Sequence, residues 1–236
     1  MLDNILQAAK VDTGLMGTLY NKMGGKILPT ANTTPDSILC QRLLQEMVAT
    51  GATYGTMEVS SHAMVMHRVD RTRFSVGGIT NFSADHLDLH KNMQDYLLAK
   101  KSFFDMLPGE GYAVINGDEP ACRRIAQDTP ATKIYYSLSN PGADLYMGKF
   151  QRRGSGSIIT AYINTDKVPA SAKEIVFYLA VPGRHNIANA FLAAGAGLAL
   201  GIDIPAIVRG LGTFRGIFRR FETIYNREYR VIDDAT

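Results

Sequence analysis

Apolar and polar positions change their spacing repeatedly along the chain, and the changes predict an α/β protein. Leu2, Ile5 and Leu6 predict a helix within the first ten residues. A glycine-rich stretch follows (Gly14, Gly17, Gly24, Gly25), then a polar segment over 30–36. Pro35 suits the first position of a helix capped by Thr34, and residues 38–48 carry helical spacing. Residues 54–59 and 73–80 read as strands, the second leading into a loop over 81–92. A helix over 93–107 offers Tyr96, Leu97, Phe103, Phe104 and Leu107 as its apolar face. A strand over 112–115, a helix through Ala126 and a strand over 133–137 continue the alternation. Such alternation requires crossover connections, hence a mostly parallel sheet flanked by helices.

Past Pro141 the pattern changes. Residues 144–153, 155–164 and 174–181 predict three strands with no helix between them, a small antiparallel β subdomain appended to the main sheet. Two helices follow, about 186–200 and 204–211, and residues 221–232 read as one strand. The expected division is a central domain over 1–214, with a linker and the first strand of a further domain over 215–236.

Composition removes several classes. With 236 residues, 46% of them hydrophobic, the chain can bury a core without a disulfide or a metal. A net charge of +3, with no basic cluster denser than Arg215, Arg219 and Arg220, gives no footprint for nucleic acid. Cys40 and Cys122 form no CxxC pair, which fits a reducing compartment. No apolar run approaches the roughly 18 residues of a membrane span, and the N-terminal segment lacks a basic signal region. A cytoplasmic protein without a membrane partner is the expectation.

Five segments could carry chemistry. Glu58-Val-Ser-Ser-His62 closes a strand, and open α/β sheets bind ligands at the carboxyl ends of their strands. Ser60 and Ser61 would equally serve as caps of the next helix. Asp85, His86, Asp88 and His90 crowd one loop, where they could ligate a hard cation such as magnesium or form a solvated turn. Lys100 and Lys101 point about 100° apart on their helix, so at most one of them faces a given site. Asn186 has Asn189 one turn on, and its amide could read a base edge or cap the helix. Arg219, Arg220 and Glu222 precede the last strand and Asp233-Asp234 end it, residue types suited to phosphate and ribose or to a charged edge.

In this order TTPD (33–36), MEVSSH (57–62), TNFSADHLDLH (80–90), YLLAK (96–100), INGD (115–118), GRHNIANA (183–190) and RRFE (219–222) resemble the ATP-dependent Mur ligases of peptidoglycan precursor synthesis. The likeness is strongest to the UDP-N-acetylmuramoyl-tripeptide synthetase branch. The resemblance implies a central domain like that of the P-loop ATPases and an ADP-forming ligation. ATP would phosphorylate the terminal carboxylate of a UDP-N-acetylmuramoyl-peptide, and an amino acid's amine would then expel phosphate. It implies ATP and Mg2+ as cofactors, with Glu58, His86 and a carbamylated Lys100 at the metal, Lys100 and His86 being catalytic. Thr33, Thr34, Ser60 and Arg68 would contact the muramoyl peptide. Asn186 would face adenine, Arg220 the phosphates and Asp234 the ribose.

The chain departs from that family in lacking a GxxxxGK[ST] phosphate loop, for which Gly24-Gly25-Lys26 is too short a substitute. The N-terminal UDP-binding domain and most of the C-terminal domain are also missing. The expectation is a fragment inactive alone, with an exposed sheet edge through which it can self-associate. Two alternatives stand beside this reading: a folylpolyglutamate-type or other amide ligase of the same fold, and a non-catalytic binding paralogue.

Overall fold

A computed structural model of the chain describes residues 1–83 and 90–216, and the backbone of 222–226 and 230–233. The main sheet has six strands in the order β10-β9-β8-β7-β6-β5. These are β5 (Val76–Ile79), β6 (Tyr112–Asn116), β7 (Thr132–Ser137), β8 (Leu145–Arg153), β9 (Gly156–Ile163) and β10 (Glu174–Leu179). β5, β6, β7 and the start of β8 are parallel, while β8, β9 and β10 pair antiparallel, so the expected antiparallel unit continues the main sheet. β6 is the strand most enclosed: Ala113, Val114 and Ile115 are all fully buried, as a parallel strand covered on both faces must be.

Helices α4 (Met93–Asp105) and α5 (Pro120–Ile125) meet the main sheet in a core of Leu97, Phe104, Ile115, Cys122 and Ile125. A larger core centres on helix α6 (Arg184–Ala199), whose Phe191 reaches Tyr136 and Phe177 at ring distances of 6.4 and 6.3 Å. Helices α1 (Leu2–Ala8) and α7 (Ile204–Thr213) complete this core through Ile5, Leu6, Ile207 and Leu211. They cross so closely that a Cβ on Gly210 would lie 2.4 Å from Ile5 Cα, which is backbone and cannot yield. Gly210→Ala is therefore expected to lower stability by about 2–3 kcal/mol, read as a shift of the urea midpoint at unchanged slope.

A second sheet, in the order β3-β2-β1-β4, holds β1 (Thr13–Met16), β2 (Asn21–Met23), β3 (Lys26–Leu28) and β4 (Tyr54–Met57). The glycine-rich stretch thus contains a strand and a hairpin, the Gly24-Gly25 pair forming the two-residue turn with φ of 51° and 74°. β1 and β4 run parallel from Thr13↔Tyr54 to Met16↔Met57, and this register brings Thr18 beside Glu58. Helix α2 (Ser37–Ala49) covers the sheet through Cys40, Leu43 and Met47. Its cap is Asp36, whose carboxylate accepts the Leu39 N–H at 2.9 Å, and not Thr34 as the sequence suggests. Lys22 Nζ lies 2.7 Å from Asp3 Oδ1, which also accepts the Thr13 hydroxyl, fastening α1 to this sheet. Helix α3 (Ser61–Val65) follows β4. The final segment expected as one strand forms two, β11 (Glu222–Asn226) and β12 (Arg230–Asp233), paired antiparallel.

Candidate functional site

The turn after β4 is tied to the 30–36 loop by one hydroxyl. Thr34 Oγ1 donates to the Glu58 carbonyl at 2.8 Å and accepts the Ser60 N–H at 3.0 Å. Arg68 adds a guanidinium N–H to the Thr34 carbonyl at 2.8 Å. Four of the sequence-predicted residues, Thr34, Glu58, Ser60 and Arg68, therefore meet at one junction. Thr34 itself is fully buried and its only hydroxyl hydrogen is committed to the Glu58 carbonyl, so it holds the turn. Ser60 caps α3, its Oγ accepting the Ala63 N–H at 3.1 Å, which is the cap reading of this segment. Arg68 is aimed at Thr34 because His67 before it takes a left-handed φ of 55°, and the turn closes with Arg68 N–H on the Ala63 carbonyl.

Glu58 projects from the same turn with an exposed carboxylate. Its Oε2 accepts the Thr18 hydroxyl at 2.7 Å and the Thr18 N–H at 3.3 Å; with its one hydroxyl hydrogen so committed, Thr18 Oγ1 accepts from the Thr33 hydroxyl at 3.2 Å. Among the described residues both donors bond the same oxygen, which leaves Oε1 for a cation. Thr18 is a site residue that sequence reasoning passed over; its signal was its place just past the carboxyl end of a strand, in a stretch not read as one.

Lys100 and Lys101 separate as helical geometry requires. Lys101 pairs with Asp105 at 2.7 Å and Asp128 at 3.1 Å, and those acceptors hold its pKa above the ordinary lysine value. Lys100 instead lies over the Tyr96 ring, Nζ 5.0 Å from its centroid. Tyr96 stacks on Phe82 at 4.8 Å and meets the His90 ring at 5.1 Å. His90 shares a 2.9 Å hydrogen bond with Ser61 Oγ, so the helix carrying Lys100 is joined to the turn carrying Glu58. Asp85, His86 and Asp88 lie outside the described residues, as do Arg219, Arg220 and Asp234. Among the described residues no group of three or more His, Cys, Asp or Glu side chains could hold a metal ion. The donors present fit a hard divalent ion in part: Glu58 supplies one carboxylate, whereas a lysine ammonium becomes a ligand only once converted to an anion.

The carboxyl ends of β5, β6 and β7 are laced by INGD. Asn116 Nδ2 donates to the Thr80 carbonyl at 2.7 Å, and Asn116 Oδ1 accepts the Asp118 N–H at 3.0 Å. Asp118 accepts from the Ser137 hydroxyl, the Leu138 N–H (2.8 Å) and the Ser139 hydroxyl (2.8 Å), with the Arg184 guanidinium 4.0 Å away. Burial alone would raise its pKa; these hydrogen bonds and Arg184 outweigh burial and hold the carboxyl below the usual carboxylate value. A depressed folded pKa means the stabilisation is complete above about pH 4 and drains away as pH falls through the folded value. The advantage of wild type over Asp118→Asn in urea midpoint is accordingly expected to be full at neutral pH and to shrink on acidification below about pH 4. Asn186 is not the cap of α6, a place taken by Gly183; its Nδ2 donates to the Pro182 carbonyl at 2.7 Å. One amide hydrogen and Oδ1 remain to face a ligand. Burial pushes the Cys122 thiol up to about 12, so it is no nucleophile at neutral pH.

Known proteins resemble this chain in sequence and in fold. The profile of the Mur ligase middle domain matches residues 1–197. A UDP-N-acetylmuramoyl-L-alanyl-D-glutamate–2,6-diaminopimelate ligase of Gloeobacter violaceus is 38% identical over 227 residues, which cover 95% of this chain and 44% of the relative. The enzyme of the same name in Bacillus velezensis is 33% identical over 241 residues, covering 99% and 48%. A solved structure, again of a ligase of this name, superposes with a TM-score of 0.80 at 24% identity, covering 96% of this chain and 46% of the other. The chain thus spans about half the length of the curated relatives it matches.

Proposed function

Because this chain belongs to the Mur ligase family, matching its middle domain, we propose that it is the ATP-using part of a ligase that joins an amino acid to a UDP-N-acetylmuramoyl-peptide. The junction of Thr34, Glu58, Ser60 and Arg68 at the end of β4 carries this reading, because it sets an outward carboxylate beside hydroxyl and guanidinium groups. ATP transfers its terminal phosphoryl group to the substrate's carboxylate, releasing ADP and leaving an acyl phosphate. The amine of the incoming amino acid attacks that carbonyl, phosphate departs, and the amine gives up a proton as the amide forms. Positioning and charge neutralisation do most of such catalysis.

In this proposal Thr33, Thr34, Ser60 and Arg68 bind the muramoyl peptide, and the Thr34 hydroxyl also holds the turn. Glu58, His86 and Lys100 hold magnesium, which neutralises phosphate charge. Lys100 qualifies by carbamylation: its neutral amine adds to carbon dioxide, loses a proton, and so exchanges a cation for a carboxylate. Asn186 faces adenine, with Arg220 and Asp234 at the phosphates and ribose. Residues 1–214 form the central domain, and 215–236 are the linker and first strand of the next. We place the protein in the cytoplasm, where ATP and a UDP-linked precursor would meet. Among the described residues no helix is long and apolar enough to cross a membrane. The names of the relatives make diaminopimelate the amino acid to test first.

The test is product mass from the full-length ligase given ATP, Mg2+, diaminopimelate and either UDP-N-acetylmuramoyl-dipeptide or a folate. A tripeptide product with the first acceptor and none with the second is expected. A glutamylated folate would overturn the muramoyl assignment, and no product from either would overturn ligation. The chain of residues 1–236 alone is expected to release no phosphate from ATP above background, since its sequence contains no GxxxxGK[ST] loop; magnesium-dependent release by it would contradict that.

A further inference from the structure

His90 is 5% exposed, and the Ser61 side chain it meets at 2.9 Å belongs to a residue 4% exposed. A buried imidazole is a costly way to fill space, since an apolar ring would need no partner. What an imidazole adds is a fixed direction: a hydrogen bond at one edge while its face packs on Tyr96, 5.1 Å away. Ser61 is the first residue of α3 and follows the Ser60 cap directly, so a hydrogen bond to its hydroxyl restrains the residue next to Ser60. On the other side Tyr96 is 4% exposed and carries Lys100 over its ring. One buried side chain therefore spans from the turn that faces the muramoyl peptide to the helix of Lys100, 29 residues away in sequence from its Ser61 partner.

We propose that His90 is a positioning residue for the UDP-muramoyl peptide. Through Ser61 it sets the angle at which Ser60 meets that substrate, and through Tyr96 it keeps the turn in register with Lys100. It touches neither substrate nor nucleotide. The inference rests on the ligase reading above.

Titration calorimetry of the full-length ligase tests it, with UDP-N-acetylmuramoyl-dipeptide and a non-hydrolysable ATP analogue titrated separately. His90→Phe keeps the ring and loses the hydrogen bond; Ser61→Ala loses it from the other side; His90→Gln returns an amide close to the lost ring nitrogen. His90→Phe and Ser61→Ala are each expected to weaken dipeptide binding about tenfold, the scale of one hydrogen bond's worth of alignment, while the analogue's Kd stays within about twofold. The double variant should be no weaker than either single one, and His90→Gln should recover most of the affinity. Wild-type dipeptide affinity in the single variants, additive losses, or equal losses for both ligands that track melting temperature would overturn the proposal. If His90→Phe fails to fold, Ser61→Ala and His90→Gln decide the matter. Failure of the wild type to bind the dipeptide would overturn the ligase reading and this inference together, whereas wild-type binding with unaffected variants overturns the inference alone.

Discussion

Glu58→Gln in the full-length ligase is expected to lower kcat by about a thousandfold, near 4 kcal/mol of transition-state stabilisation, with little change in melting temperature. The amide oxygen of glutamine can still accept both Thr18 donors, so the strand end keeps its hydrogen bonds. What disappears is the negative charge of an exposed carboxylate, which the proposed function assigns to magnesium. Initial rates over a magnesium series separate the two roles: the loss should be largest at low magnesium. A rate within about tenfold of wild type at every concentration would reduce Glu58 to an acceptor for Thr18.

The second large effect falls on stability. Thr34→Val preserves shape but deletes the hydroxyl that serves the Glu58 carbonyl and the Ser60 N–H. Two backbone groups then lose this partner at a part-buried junction, at about 1–3 kcal/mol each. A loss of about 2–4 kcal/mol in urea unfolding of this chain is expected, with Thr34→Ser retaining most of the stability. A loss under about 0.5 kcal/mol would show that the junction is held by other contacts. Because Ser60 and Arg68 both hang on this residue, the substrate affinity of the full-length ligase should fall with it.

How much of this was legible in the sequence depends on the range of the contact concerned. Helix α4 was plain: Asn92 caps it, accepting the Gln94 and Asp95 N–H groups at 2.9 Å, and the spacing of Tyr96, Leu97 and Phe104 places its buried face. The same 3.6-residue geometry separated Lys100 from Lys101 before any coordinates. Thr34 was misread because threonine before proline looks like a cap; Asp36 takes that place, and the hydroxyl is spent on a strand end 24 residues away. The Glu58–Thr18 contact spans 40 residues and follows from the β1–β4 register, which no local pattern specifies. Asp118 stood within a quoted motif without a role, since its partners Ser137, Leu138 and Ser139 belong to the end of another strand. Asn186 was open between cap and ligand; Gly183 at the cap removes the first of these.

Glu58 and Lys100 are proposed to share one metal, and anomalous scattering measures that directly. The full-length ligase would be crystallised with manganese in place of magnesium, a non-hydrolysable ATP analogue, and bicarbonate in the buffer. A manganese peak within about 2.2 Å of a Glu58 oxygen and of a carbamate on Lys100 is the predicted result. Manganese bound to the nucleotide away from Glu58, with Lys100 unmodified and still over the Tyr96 ring, would contradict it.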